Sequence, residues 1–390
     1  MEYSVIDEPA RLQELLSPLL EVQRVGIDFE GDGLFRYRPR VCTMQLCADD
    51  TPVVPVVVDT LACWDSELLQ AFLGPQGPLK VLHDAAFDTR LLWSHGIRLG
   101  HIFDTALAAR LLGEPATGLS SLLAKRCSVE IQKDQQQADW GRRPLTQKAI
   151  RYLHDDVRHL FLLHDSLASD VDRVGIAEEL QVECDYVLDQ ACRPDPPEKP
   201  PWLRIKGARR LPPVQRGVLR ELAQVRDSAA RTWDVPPFRV AHDRELLELA
   251  RRRPDQLAGL RGIKSLARGR AKSIAQKWLA AIARGVTAGD APAEELDDQT
   301  AGGPSPTERT RRKRLERALV AWRTREAQQR GVDVQVVLPG HGLQDLIKHA
   351  PADSDALRAI DGLGDVRVDR YGDHWLQLVR QESSSQRGDP

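Results

Sequence analysis

The rhythm of apolar and polar residues changes along the chain, and the changes divide it. VQRVGIDFE, RVCTMQLCADD and TPVVPVVVD show the period of two, or the short apolar runs, that mark strands. DSELLQAFL moves to helical spacing. PLKVLHD returns to a short strand, and AAFDTRLLWSHG reads as a helix closed by Gly96. Helical spacing continues through DTALAARLLG, LSSLLAKRC and LTQKAIRYLHDDVRHLFLLHDSLASDV. Three strands followed by a strand among helices is an α/β pattern. RPDPPEKPPW, at 193–202, interrupts it with prolines, and beyond that point the spacing is nearly all helical. Within the helical half, AGDAPAEELDDQTAGGPSPTE reads as a low-complexity linker, and QESSSQRGDP as a tail that frays.

The helical half repeats itself. At one ungapped offset Leu222 falls on Leu319, Arg226 on Arg323, Val240 on Val337, Leu246 on Leu343, Pro254 on Pro351, Leu260 on Leu357 and Trp278 on Trp375. Shared apolar positions alone are weak, because any two amphipathic helices coincide somewhere. Matching Arg, Pro and Trp in the same frame predicts two copies of one small all-α domain.

Composition sharpens this picture. A chain of 390 residues with 42% hydrophobic and 29% charged content is a soluble globular type too long for one ordinary core. The start, MEYSVIDEPARLQELL, carries early acids and no apolar h-region, so no signal peptide is expected. The longest apolar run, PVVPVVV, is too short to span a bilayer. The six cysteines (42, 47, 63, 127, 184 and 192) form no CxxC pair, which suits reduced thiols in the cytoplasm. The net charge of −2 hides an asymmetry: residues 1–200 hold 32 acids and 20 bases, and the helical half holds the excess of bases. Residues 201–290 carry 20 bases against 8 acids, while 291–390 carry 15 against 17. Only the first copy has the electrostatic footprint of a polyanion binder.

The chemistry starts in VGIDFE. Strand side chains alternate faces, so Val25, Ile27 and Phe29 point one way and Gly26, Asp28 and Glu30 the other. Two neighbouring carboxylates on one partly buried face call for a cation. A divalent ion takes oxygen ligands, and a two-ion site needs more acids from elsewhere in the chain. HDAAFDTRLL supplies one. His83 closes a strand, Asp84 is placed to cap the next helix, and Asp88 lies one turn on. YLHDD supplies another: Tyr152 and Asp156 are four apart and share a helix face, whereas Asp155 and His154 point elsewhere. Asp104 directly precedes a helical run and reads as its N-cap.

The order D-x-E, H-x₄-D, Y-x₃-D resembles the DEDD superfamily of 3′–5′ exonucleases in its tyrosine branch. The segment KDQQQADWGRRPL is similar to the KSxQxSDWxxRPL stretch of ribonuclease D, with Ala138 in place of the serine. The first motif reads D-F-E where that family usually has D-T-E. RDSAARTWDVPPFRV and LLELARRRP look like the helicase-and-RNase-D C-terminal (HRDC) domain, whose degenerate copy completes the ribonuclease D layout. The resemblance implies an α/β nuclease domain with a ribonuclease H-like mixed sheet, followed by two small all-α domains. Its expected boundaries are 1–192 for the exonuclease, 193–209 for a Pro-rich linker and 210–287 for the basic HRDC domain. A flexible linker at 288–308, a second HRDC-like domain at 309–382 and a disordered tail at 383–390 follow.

The activity implied is 3′–5′ hydrolysis of RNA phosphodiesters, releasing nucleoside 5′-monophosphates, with tRNA precursors as the family's substrate class. Asp28, Glu30, Asp88 and Asp156 would bind two divalent ions (Mg²⁺ or Mn²⁺). Tyr152 would orient the attacking water, because a phenol pKa of about 10 is too high for a full base. Substrate contacts are expected from Gln45, Lys133, Gln137, Trp140, Arg143, Arg251 and Arg252, with Trp140 equally readable as packing. No membrane or obligatory protein partner is expected, and the chain reads as a monomer. Two other classes remain open: a DNA 3′–5′ exonuclease with the same site, and a non-catalytic RNA-binding scaffold. The scaffold predicts a lost acid, and all four are present.

Overall fold

The alternation in VGIDFE becomes the second strand of a mixed sheet. The computed structural model describes residues 4–48, 55–131, 135–194, 198–263, 266, 269–296 and 304–384. Among them six strands, β1 (Ser4–Ile6), β2 (Arg24–Gly31), β3 (Val41–Ala48), β4 (Val56–Asp59), β5 (Leu79–Leu82) and β6 (Ile102–Asp104), are ordered β1-β4-β3-β2-β5-β6. β2 pairs antiparallel with β3 and parallel with β5, so it lies inside the sheet. β1 and β6 were not foreseen; at three residues each they are too short to show a period.

The helices of this part are α1 (Pro9–Leu19), α2 (Ser66–Leu73), α3 (Ala86–Trp93), α4 (Thr105–Leu111), α5 (Leu119–Leu122), α6 (Gln147–Val157), α7 (Leu160–Val174) and α8 (Ala177–Cys192). Val25, Ile27 and Phe29 join Leu16 of α1, Phe72 of α2, Leu92 of α3 and Leu180 of α8 in the main core. The other face of β2 receives the junction of α6 and α7: a Cβ on Gly26 would stand 3.5 Å from Leu160 Cβ.

The chain forms two compact units. One is Asp32–Arg40 with Pro194–Gly303 and holds α9 (Pro213–Trp233), α10 (Pro237–Val240), α11 (Asp243–Arg252), α12 (Leu257–Leu260), α13 (Gly269–Ser273), α14 (Ala275–Ala288) and α15 (Ala293–Leu296). Its core gathers Leu222, Leu246, Ile263 and Trp278. Within the same unit Tyr37 donates to Asp227 (2.8 Å), and Arg231 lies over the Tyr37 ring at 5.0 Å.

The expected linkers turn out to be largely structural. Trp202, Ile205 and Ala208 are buried in this core, because a tryptophan and an isoleucine among prolines still seek burial. After α14, Asp290 pairs with Arg216 (2.6 Å) and Glu295 accepts from Trp202 Nε1 (2.6 Å). Residues 297–303 and 385–390, the rest of the expected linker and tail, lie outside the described residues.

The other unit joins the sheet part to Pro304–Pro390, which carries α16 (Pro306–Arg330), α17 (Val334–Val337), α18 (Gly340–His349), α19 (Ser354–Arg358) and α20 (Asp365–Ser384). The repeat is visible in contacts. Arg226 donates to the carbonyl of Ala241 (3.2 Å), and its counterpart Arg323 donates to the carbonyl of Leu338 (2.9 Å). The second copy is fastened to α8. Glu183 pairs with the fully buried Arg367 (2.9 Å), Glu179 with Arg370 (2.8 Å), and Tyr186 stacks on His341 at 3.7 Å. Gly362 and Gly364, at φ of 74° and 73°, allow this approach; a Cβ on either would lie 2.4–2.5 Å from Tyr186 or Val182. Val336 of α17 belongs to the main core itself. No helix among the described residues is long and apolar enough to cross a membrane.

Candidate active site

Three separate elements bring acids to one place. β2 presents Asp28 and Glu30 on the face away from the main core. α3 supplies Asp88 from its first turn, and α6 supplies Tyr152 and Asp156. Carboxylate oxygens of Asp28, Glu30 and Asp156 all lie within 4.8 Å of one another. Asp88 joins them in lining a cavity of about 380 Å³, together with Tyr152, His83, Phe87, Leu119 and Gln136.

Two anchors hold α3 and α6. The carboxylate of Asp104 caps α4 through Ala106 N (2.8 Å) and Leu107 N (3.2 Å). It also accepts from Asp84 N (3.1 Å) and Ala85 N (2.9 Å), which fixes the turn that starts α3. Asp84 itself does not cap α3; it sits in the left-handed region at φ 63°, and α3 starts without a side-chain cap. Thr146 caps α6 by accepting from Ala149 N.

The electrostatics are those of buried acids packed close together. Burial pushes Asp28 up to about 7. Burial first, then the charges of Asp28 and Asp156, push Glu30 up to about 9. Burial and Asp28 push Asp156 up to about 8. Asp88 is also raised well above the usual carboxylate range, by burial and then by Asp28 and Glu30. Tyr152 is raised above the ordinary phenol value by burial, then by the neighbouring Asp156, so it stays protonated. No lysine or arginine lines the cavity among the described residues. A cluster of oxygen donors that cannot all ionise unaided is the donor set a hard divalent cation takes.

The expected substrate contacts lie elsewhere. Gln45 is buried opposite Asp28 on β3. With its amide oriented to satisfy both ends, it donates to the Asp28 carbonyl (2.9 Å) and accepts from Thr43 Oγ1 (2.6 Å). It therefore holds the strand and does not reach into the cavity. Trp140 is buried and stacked on Tyr152 at 5.7 Å, and its indole N–H has no hydrogen-bond acceptor among the described residues. Arg143 is engaged by Asp59 (2.7 Å) and by the carbonyls of Cys42 (2.8 Å) and Trp140 (2.7 Å), so its fork is not offered to phosphate. Gln137 is exposed outside the cavity lining, and the adjacent Gln136 takes the place expected for it. Lys133 lies outside the described residues. Arg251 and Arg252 are exposed at the end of α11 in the other unit, where Arg252 binds Glu248 (2.9 Å) and the Gly259 carbonyl (3.2 Å).

Phe87 also lines the cavity, at a position the sequence motifs do not mark. The buried residues of α3 are Asp88, Thr89, Leu91 and Leu92, and Phe87 falls off that stripe. A bulky apolar residue off the core face of a short helix was the available signal.

Comparison with known proteins gives the class first. The 3′–5′ exonuclease profile matches residues 3–172, and the HRDC domain profile matches twice, at 215–282 and 312–379. Ribonuclease D of Gluconacetobacter diazotrophicus is 31% identical over 293 residues, 73% of this chain and 72% of that protein. Ribonuclease D of Desulfotalea psychrophila is 29% identical over 253 residues, 64% of this chain and 67% of that one. The crystal structure of Escherichia coli RNase D, an exoribonuclease involved in structured RNA processing, shares the fold over 98% of this chain and 99% of that chain, with TM-score 0.68 and 21% identity. The chain belongs to the ribonuclease D family, as a 3′–5′ exoribonuclease with two HRDC domains.

Proposed function

We propose that this protein removes nucleotides from RNA 3′ ends at the Asp28–Glu30–Asp88–Asp156 cluster, releasing nucleoside 5′-monophosphates. The carrying observation is the convergence of three carboxylates within 4.8 Å, with Asp88 in the same cavity and no lysine or arginine among its described lining residues. The four acids would hold two divalent ions, Mg²⁺ or Mn²⁺. Bound there, the ions supply Lewis-acid stabilisation and a more acidic water. Tyr152 stays a hydrogen-bond donor throughout, oriented by Asp156 and by the stacked Trp140, and it positions the water. Gln45 keeps Asp28 in register from behind. The basic first HRDC domain supplies affinity for the RNA backbone, which suits structured substrates such as tRNA precursors.

The test is digestion of 5′-labelled, 3′-extended tRNA and of matched RNA and DNA oligonucleotides, with and without added Mg²⁺ or Mn²⁺. Metal-dependent ladders that shorten from the 3′ end, faster on RNA, are expected. Equal or greater activity on DNA would replace the RNA assignment with a DNA exonuclease. No turnover with either metal would remove the nuclease reading.

A further inference from the structure

We propose that Phe87 is the stacking platform for the base of the 3′-terminal nucleotide, an inference that rests on the nuclease reading above. Phe87 is 59% exposed, although a phenyl ring normally seeks burial, and it lines the same cavity as the four acids. Its backbone is tied down by hydrogen bonds. It follows the turn whose amides are bound by Asp104, and Thr89 Oγ1 ties the first turn of α3 to the Ala85 carbonyl (2.6 Å). The ring is thus held on a rigid helix start, one residue before Asp88.

The cavity lining is chemically mixed. Asp28, Glu30, Asp88 and Asp156 make it anionic, while Phe87, Leu119, Ile131 and Leu160 add apolar surface. A nucleotide matches that mixture: its phosphate, with cations, belongs at the acids, and its flat base belongs on the exposed ring of Phe87. At about 380 Å³ the space suits a single small-ligand-sized group. Stacking on an aromatic ring tolerates every base, as an enzyme that trims one residue after another requires.

The experiment compares Phe87→Ala and Phe87→Tyr with the parent protein on an RNA oligonucleotide and on the same RNA with an abasic 3′-terminal residue. Phe87→Ala is expected to raise KM about ten- to a hundred-fold on the normal RNA, with a smaller change in kcat. Phe87→Tyr restores the parent value. On the abasic end Phe87→Ala and parent behave alike, because no base remains to stack. Calorimetric Mn²⁺ affinity is unchanged in Phe87→Ala, which separates stacking from damage to Asp88. An equal KM penalty on both substrates, or no penalty on either, overturns the proposal while leaving the nuclease reading intact. A parent protein inactive on RNA with either metal removes both.

Discussion

The indole of Trp140 lies against the ring of Tyr152, centroids 5.7 Å apart and planes inclined by 30°. This contact couples the segment before α6 to the phenol on it. Replacing Trp140 with Ala empties a fully enclosed volume and is expected to cost about 3–5 kcal/mol in urea unfolding. Turnover should fall with it, because Tyr152 loses its support. Trp140→Phe keeps the stack and should recover most of the stability. Equal losses in both variants would show that the ring contact contributes nothing.

The acid cluster sets a pH signature. Asp28, Asp156 and Glu30 are raised to about 7, 8 and 9. The metal-free folded protein therefore holds protons that the unfolded chain has lost, and its stability declines as pH rises from about 4 through this range. Divalent ions replace those protons as counter-charge. The rise in Tm on adding Mn²⁺ should be small near about pH 5 and large near about pH 9 in thermal melts. A rise independent of pH would contradict the shared electrostatic origin.

Asp28→Asn removes one charge from the cluster. Metal-free protein should then melt higher than the parent at alkaline pH, while Mn²⁺ affinity and turnover collapse. The loss should exceed the about 10–100-fold typical of removing a partner behind a metal ligand. Gln45→Ala, which removes such a partner, should fall within that range. Retained turnover in Asp28→Asn would remove this residue from the chemistry.

Glu183 and Arg367 fasten the second HRDC domain, with the guanidinium fully enclosed and the carboxylate 11% exposed. Burial lowers the Arg367 pKa even beside that carboxylate. Glu183→Ala leaves the buried cation unpaired and should destabilise the protein by about 3–5 kcal/mol in chemical denaturation. The double change Glu183→Leu with Arg367→Met should recover much of this. If the single variant is as stable as the parent, the pair is dispensable.

Much of the fold was legible because its signals are periodic. The alternation around Asp28 and Glu30 placed two acids on one face of a strand, and the four-residue spacing of Tyr152 and Asp156 placed those side chains together. The repeat was legible because Arg226 and Arg323 do the same job in each copy. What failed was local polarity read as availability. Arg143 looked like a phosphate ligand, but sequence cannot reveal that Asp59, far earlier in the chain, already occupies it. Gln45 looked like a hand reaching outward and is a strut behind Asp28. Asp84 looked like a cap, but α3 has no side-chain cap, and the turn that starts it is held by Asp104 at the end of the neighbouring strand β6.

Val336 sits in the same apolar cluster as Ile27, Phe72 and Leu92. The catalytic part is therefore not finished when its own sequence has been synthesised. A nascent chain emerging from the ribosome must wait through more than a hundred further residues before that seat is filled. The C-terminal copy acts in this respect like a keystone of the sheet part's core.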